Sequence, residues 1–144
     1  MKLTLRKIIE VYDALKNARI STLETAEQSK IFKINRAIYA IYTRYDAERK
    51  EVMERLKPQD FEELGEIESK IQAECAERDE SLRYITAISA YKRNADKHLN
   101  PLLDEEHDLN VEPIDEAVWQ KVMKENKWTF EQYNAVEVFI KQEE

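Results

Sequence analysis

The chain has 144 residues, of which 42% are hydrophobic and 37% charged, with a net charge of −7 and a single glycine. An average glycine content of about 7% would give roughly ten. A phosphate-binding P-loop, a dinucleotide-binding fingerprint and most turn-rich β folds each need several glycines, so the composition excludes them. The composition predicts a largely helical protein whose turns are made by proline, asparagine and helix-capping residues.

The sequence also bears on the compartment. No apolar run approaches the ~20 residues that a membrane span needs, and the N-terminal residues lack the continuous apolar stretch of a secretory signal. Cys75 is the only cysteine, which excludes an intrachain disulfide and a metal site built from several thiolates. We therefore expect a cytoplasmic protein without a membrane partner.

Residues 1–5 alternate between polar and apolar side chains, which predicts a short β-strand. Ile8, Ile9, Tyr12 and Leu15 then recur at helical spacing. This pattern predicts a short N-terminal helix that ends at about residue 19.

The sequence Ser21-Thr22-Leu23-Glu24 matches a capping box and predicts the start of the longest helix, which runs to Lys57. Pro58 stops it, and Asp60 begins a return helix. We expect that return helix to continue to about His98, because no proline or glycine marks a break around residues 76–81. Since the connection is short, the two helices should form an antiparallel hairpin.

Residues 104–108 are predicted to form a polar connector, and residues 109–114 a second short strand that pairs with the first. Asp115 begins a helix, and the capping box from Thr129 to Gln132 begins the last one. The predicted fold is all-α: a single domain over 1–144 with a long antiparallel helical hairpin, a short N-terminal helix, two C-terminal helices and a minimal two-stranded β ribbon. Its parts are the N-terminal strand and helix (1–20), the hairpin (21–99) and the connector with the C-terminal helices (100–144).

The first arm of the hairpin is apolar on more than one side. One seam has coiled-coil-like spacing, a second aromatic strip flanks it, and two helices cannot bury both. We therefore predict a homo-oligomer that associates through the hairpin. The two tryptophans are interpreted first as core residues, and a place at the rim of the interface is the alternative. The candidate interface residues are Ile31, Phe32, Ile34, Ile38, Tyr39, Ile41, Tyr42, Tyr45, Trp119 and Trp128.

Charges occur in blocks. Residues 28–45 contain four cations and no acid, whereas residues 59–81 contain nine acids against Lys70 and Arg78. Such blocks favour two segments that attract each other, in the fold or with another copy. Cations interleaved with tyrosines could line a nucleic acid, but helical spacing disperses them and the net charge opposes phosphate binding. A solvated or protein-paired face is the favoured interpretation.

Few residues offer chemistry. The acids of 104–108 with His107 could bind a divalent cation, but they lack the spacing of a calcium loop, and a solvated connector is favoured. His98 and His107 are interpreted as separate surface histidines, and Cys75 as a buried, inert thiol on an apolar stripe. We predict no catalytic residue, no metal site and no cofactor, and therefore not an enzyme; a small hydrolase would need a cleft that the composition does not indicate.

The layout resembles a family of short uncharacterised phage proteins. The resemblance rests on Met1-Lys2-Leu3-Thr4-Leu5, a first helix ending near residue 16, the long helix from Ser21, and the closing segment Val111-Glu112-Pro113-Ile114-Asp115. It implies a phage or prophage origin, a place in the host cytoplasm or virion, and a role in virion assembly or host interaction. The resulting hypothesis is a non-enzymatic protein-interaction or assembly protein. The alternative is an acidic inhibitor or regulator that binds a host protein or nucleic-acid machinery through its acidic C-terminal half.

Overall fold

A computed structural model describes residues 1–142, and the chain forms two compact units. Unit 1 consists of Met1–Asp46 together with the chain from Leu103 onward, and unit 2 of Ala47–Leu102. The described residues contain six α-helices and one two-stranded sheet. The predicted all-α class, with its long helix pair and minimal ribbon, is confirmed. The single domain over 1–144 stays a prediction.

Unit 1 begins with the ribbon. Strand β1 (Lys2–Thr4) pairs antiparallel with β2 (Glu106–Asp108), with Leu3 opposite His107. The ribbon is confirmed, but the prediction that 109–114 forms its second strand is wrong. Ile114 instead pairs with Ile140 in a parallel bridge, which buries Ile114 in the core of the unit.

Helix α1 (Leu5–Leu15) follows the first strand directly, and the Thr4 hydroxyl caps it by accepting from the Lys7 amide at 3.2 Å. The helix ends before the predicted residue 19. At that residue the backbone binds Asn126 instead: the Asn126 side-chain oxygen accepts from the Arg19 amide at 2.6 Å, and its nitrogen donates to the Arg19 carbonyl at 2.7 Å. A tertiary contact thus holds the segment that follows the helix.

Helix α2 (Thr25–Arg55) is the longest, and the predicted capping box at its start is wrong. The Ser21 and Thr22 hydroxyls and amides all donate to the carboxylate of Glu125. They therefore do not cap α2. The Glu24 amide donates to the side chain of Glu27 at 3.1 Å. This is one of the two hydrogen bonds of a capping box, and it forms three residues later in the chain than predicted.

The C-terminal part of unit 1 contains α5 (Glu116–Asn126), α6 (Phe130–Ala135) and a 3₁₀ turn (Glu137–Phe139). Both predicted helix starts are confirmed, and the Thr129–Gln132 capping box forms in full. Trp119 is completely buried, and its indole N–H donates to the Phe139 carbonyl at 3.0 Å, so its one polar group is satisfied. Burial of such side chains, at about 1.5–3 kcal/mol each, is the main stabilising contribution to the unit.

Unit 2 comprises the end of α2, then α3 (Phe61–Gln72) and α4 (Arg78–Leu103). The predicted continuous return helix is wrong, because the chain turns at residues 73–77. Glu74 has φ 59°, and the Cys75 amide donates to the Lys70 carbonyl at 2.9 Å. Together with the bond from the Glu74 amide to the Ile71 carbonyl this is a complete Schellman motif, formed without glycine.

Helices α3 and α4 pack against each other with apolar and charged contacts. Arg83 donates to Asp60 at 2.6 Å and to Glu63 at 2.8 Å, and Lys70 donates to Glu80 at 2.8 Å. These contacts fix the register of the pair on its exposed side. The buried apolar residues of unit 2 are Val52, Leu64, Ile67, Ala95 and Leu99.

The end of α2 also joins this packing. The Tyr91 hydroxyl donates to the Met53 carbonyl at 2.6 Å, and the Tyr91 ring meets the edge of Phe61. The last turns of α2 therefore lie beside α4. Within residues 1–142 no helix combines the length and apolar character needed to cross a membrane.

Candidate interaction surface

One face of α2 in unit 1 presents aromatic and basic side chains to solvent. Phe32 is 53% exposed and Tyr39 is 54% exposed, and Arg36 lies between them at helical spacing. Lys33 is exposed beside them. We call Phe32, Lys33, Arg36 and Tyr39 the aromatic–basic face. It lies on the side of α2 opposite Ile34, which is buried in the core.

The position of Tyr39 is supported by a group of tyrosines. Tyr12 of α1 stacks on Tyr42 with ring centroids 3.8 Å apart and an interplanar angle of 11°. The Tyr12 ring also lies 6.2 Å from the Tyr39 ring at 30°. Aromatic pairs at these separations are mutually attractive. Tyr39 is therefore held at one edge while most of its ring surface faces solvent.

The cations of this face have no ion-pair partner among residues 1–142. Between residues 28 and 45 there are four cations and no acid. Lys33, Arg36 and Arg44 are exposed, and none of them forms an ion pair with another of the described residues. The guanidinium of Arg36 is thus available to bind a carboxylate, for which its planar fork is suited.

The structure assigns most of the predicted interface residues to the interior of unit 1 instead. Six of the ten are buried, so their surface is covered within the chain and is not available to a partner in this fold. These six are Ile31, Ile34, Ile38, Ile41, Trp119 and Trp128. Tyr42 and Tyr45 are half-buried, which leaves Phe32 and Tyr39 as the two that are mainly exposed.

The residues considered for chemistry lie in separate surroundings. Cys75 is exposed in the turn after α3, so the prediction of a buried thiol is wrong; the unexpected helix break removes it from the apolar stripe. His98 is exposed on α4. His107 is half-buried on β2, and its Nε2 atom is shielded and has no hydrogen-bond partner in residues 1–142.

Two acids of residues 104–108 form ion pairs within unit 1. Asp104 pairs with Arg6 at 3.6 Å, and Asp108 pairs with the N-terminal amine at 3.4 Å. Across the part of the chain that the structure describes, no three His, Cys, Asp or Glu side chains come together in a group that could hold a metal ion.

Two surface features were not found from the sequence. A groove of ≈ 540 Å³ between α1 and α6 is lined by Lys7, Glu10, Asp13 and Glu131. Its Lys7 ammonium already lies 3.5 Å from Glu10 and 3.4 Å from the Asn134 carbonyl, so the main cation of the groove has partners within the chain. On α4, Leu82 and Ile85 are 52% and 58% exposed.

Comparison with protein families, curated proteins and solved structures gives no match for this chain. What the protein does is therefore inferred from its own surfaces. Among those described above, the aromatic–basic face combines exposed rings, unpaired cations and a rigid helical support.

Proposed function

We propose that the chain is a non-enzymatic protein-interaction protein of phage origin, which acts in assembly through the aromatic–basic face of α2. The observation that carries this proposal is the exposure of Phe32 and Tyr39, each by more than half, on either side of Arg36. Phage origin and a role in assembly are supported by the resemblance described above in its N-terminal part, the first strand followed by a short and then a long helix.

The energetics favour an interface. Full burial of a large apolar side chain stabilises by about 1.5–3 kcal/mol relative to full exposure, and Phe32 and Tyr39 forgo roughly half of this. Aromatic residues and arginine are also the types enriched at the centre of protein interfaces. Because Phe32 and Tyr39 lie on a rigid helix, little conformational entropy would be lost when a partner covers them.

A protein partner is favoured over a nucleic acid. The chain carries a net charge of −7, which repels phosphate, and the cations near the rings are too few to offset it. Several carboxylates of the acidic C-terminal half, such as Asp104 and Glu125, are engaged inside unit 1. A role as an acidic mimic is therefore less well supported.

A non-enzymatic role is supported by the separation of the candidate groups. In residues 1–142 the Cys75 thiol and the two imidazoles form no hydrogen bond with one another. A nucleophile and its base would be expected within hydrogen-bond reach. We therefore place the function on the aromatic–basic face and not in a catalytic site.

The test is site-specific photocrosslinking in producing cells, with a photoreactive amino acid at position 32 or 39. Gln120, which is exposed on α5, is the matched control position. We expect crosslinked protein adducts from positions 32 and 39, few from position 120, and fewer from position 32 when Arg36→Glu is also present. If positions 32 and 39 give no more adducts than position 120, the face is not an interface and the proposal fails.

A further inference from the structure

The only glycine of the chain lies where its own fold does not need it. Gly65 is exposed within α3, has no positive φ, and a Cβ built on it would meet no atom within 4 Å. Glycine in a helix interior weakens the helix relative to alanine. Of residues 1–142, the two that adopt positive φ are Glu74 and Lys127, so glycine is absent where the backbone would favour it.

Gly65 begins a stripe of small side chains on the exposed side of α3. Ser69 and Ala73 follow at intervals of four residues, and both are exposed. The Ser69 hydroxyl donates to the Gly65 carbonyl at 3.2 Å, so it is directed toward its own helix. Another element could approach this stripe closely. We call this stripe, together with the exposed carboxylates at one end of it, the small-residue face. It consists of Glu62, Gly65, Glu66, Ser69 and Ala73.

This face complements the aromatic–basic face in shape. Phe32 and Tyr39 are seven residues apart, a rise of about 10.5 Å along a helix, and Gly65 and Ala73 are eight apart, about 12 Å. Two protruding rings can therefore lie along the small side chains at positions 65, 69 and 73, with the carboxylates of Glu62 and Glu66 beside them. Small residues let two helix backbones approach closely, as they do between helices in membranes.

The two faces also complement each other in charge. Lys33 and Arg36 form no ion pair among the described residues, and neither do Glu62 and Glu66. The other α3 acid near this helix end, Glu63, is already bound by Arg83. The two unpaired carboxylates of the small-residue face thus match in charge the two unpaired cations of the aromatic–basic face.

We propose that the aromatic–basic face of one copy docks on the small-residue face of α3 in a second copy. This inference rests on the proposed function and names its partner. Because the two faces differ, the contact is heterologous, and an open assembly still presents one unused face at each end, an aromatic–basic face at one and a small-residue face at the other. Such contacts form rings or open filaments, which suits an assembly protein.

Gly65→Ala gives a test in which stability and association change in opposite directions. The variant should raise the thermal midpoint of the chain because alanine favours the helix. It should also weaken self-association, and Gly65→Gln should weaken it further, by about tenfold or more, because the added side chain overfills the contact. Sedimentation velocity across a dilution series at low salt measures the association, and thermal denaturation followed by circular dichroism measures the midpoint. Ser89→Ala, on the exposed side of α4, is the control that leaves association unchanged.

Mixing two association-defective variants tests the heterologous geometry. Arg36→Glu disables only the α2 face, and Gly65→Gln disables only the α3 face. Each variant alone should be monomeric, and an equal mixture should form a one-to-one complex through the two intact faces. A mixture that stays monomeric overturns the proposal.

Three further outcomes would also overturn it. The first is a wild-type chain that stays monomeric over the dilution series, and the second is a Gly65→Gln variant that associates like wild type. The third is a set of adducts from position 32 that contain another protein but never a second copy. This third outcome leaves the proposed function standing, whereas the absence of any adduct overturns both the proposed function and this docking.

Discussion

Unit 1 completely encloses Trp119 and Phe139, whereas the largest side chains buried in unit 2 are those of Leu64, Ile67 and Leu99. On the surface the contrast is reversed, because Arg83 of unit 2 lies 2.6 Å from Asp60 and 2.8 Å from Glu63. Ion pairs of unit 1 are longer, such as the 3.6 Å pair of Arg6 with Asp104. Exposed ion pairs contribute less than buried apolar area.

The comparison shows that the two units depend on different interactions. Unit 1 should lose stability when its core is damaged, and unit 2 should respond more to salt. Regions with few buried contacts also open more readily than the rest of a protein. We therefore expect hydrogen exchange of the α3 amides to be faster than that of the α5 amides.

The largest effect is expected from Trp119→Ala in unit 1. The substitution empties a fully buried site and removes the donor to the Phe139 carbonyl, and should lower the free energy of unfolding by about 3–5 kcal/mol. Urea denaturation followed by circular dichroism measures it. Leu64→Ala in unit 2 is the matched variant, and its loss should be nearer 2 kcal/mol, about the low end for this change. Equal losses would show that the two cores do not differ.

A smaller gain is expected from glycine at the two left-handed residues, one in each unit. Glu74 has φ 59° and Lys127 has φ 52°, a region that is unfavourable for side chains with a Cβ. Glu74→Gly and Lys127→Gly each relieve this strain, but glycine also has more conformational freedom in the unfolded chain, which offsets part of the gain. The net effect of each should be a free energy of unfolding higher by about 0.5–1 kcal/mol. Gln72→Gly, inside α3, should instead destabilise the protein; if it stabilises as well, the left-handed backbone is not the cause.

These two residues also show the limit of prediction from sequence. The start of α6 is predicted correctly because Thr129 and Gln132, which form its capping box, are three residues apart. The end of α3 carries no such signal, since a Schellman motif with glutamate in the left-handed position leaves no glycine to mark it. The prediction of a buried Cys75 fails for the same reason.

Other errors come from contacts between distant residues. Ser21 fits a capping box locally, but its hydroxyl donates to Glu125, 104 residues away. The seam of α2 is buried as its periodicity indicates. Periodicity does not reveal which flanking residues α1 covers, so Phe32 and Tyr39 could be distinguished as exposed only from the structure.

Within unit 1, Glu125 makes the stability pH-dependent. Hydrogen bonds from the Ser21 hydroxyl, and then from Thr22, lower the pKa of the Glu125 carboxyl below its ordinary 4.5. A lowered folded-state pKa means that the contribution is fully present above about pH 4.5, the unfolded value, and is lost as the pH falls through the folded value. The free energy of unfolding of Glu125→Gln should therefore fall less than that of wild type when the pH is lowered from neutral to acidic. Urea denaturation at each pH measures it. An unchanged pH dependence would contradict this role.

The smallest effect is expected from Arg83→Gln in unit 2, and it tests the dependence of that unit on charge. The Arg83 guanidinium lowers the pKa of Asp60, and the two nearby carboxylates raise the pKa of Arg83 itself. Since these groups are exposed, salt should screen them. The variant should lower the thermal midpoint slightly at low salt and not at high salt. Arg6→Gln removes a longer exposed pair with Asp104 in unit 1 and is the control, with no change expected at either salt concentration. If both variants respond equally to salt, charge does not distinguish the units, and the difference between them lies in their cores alone.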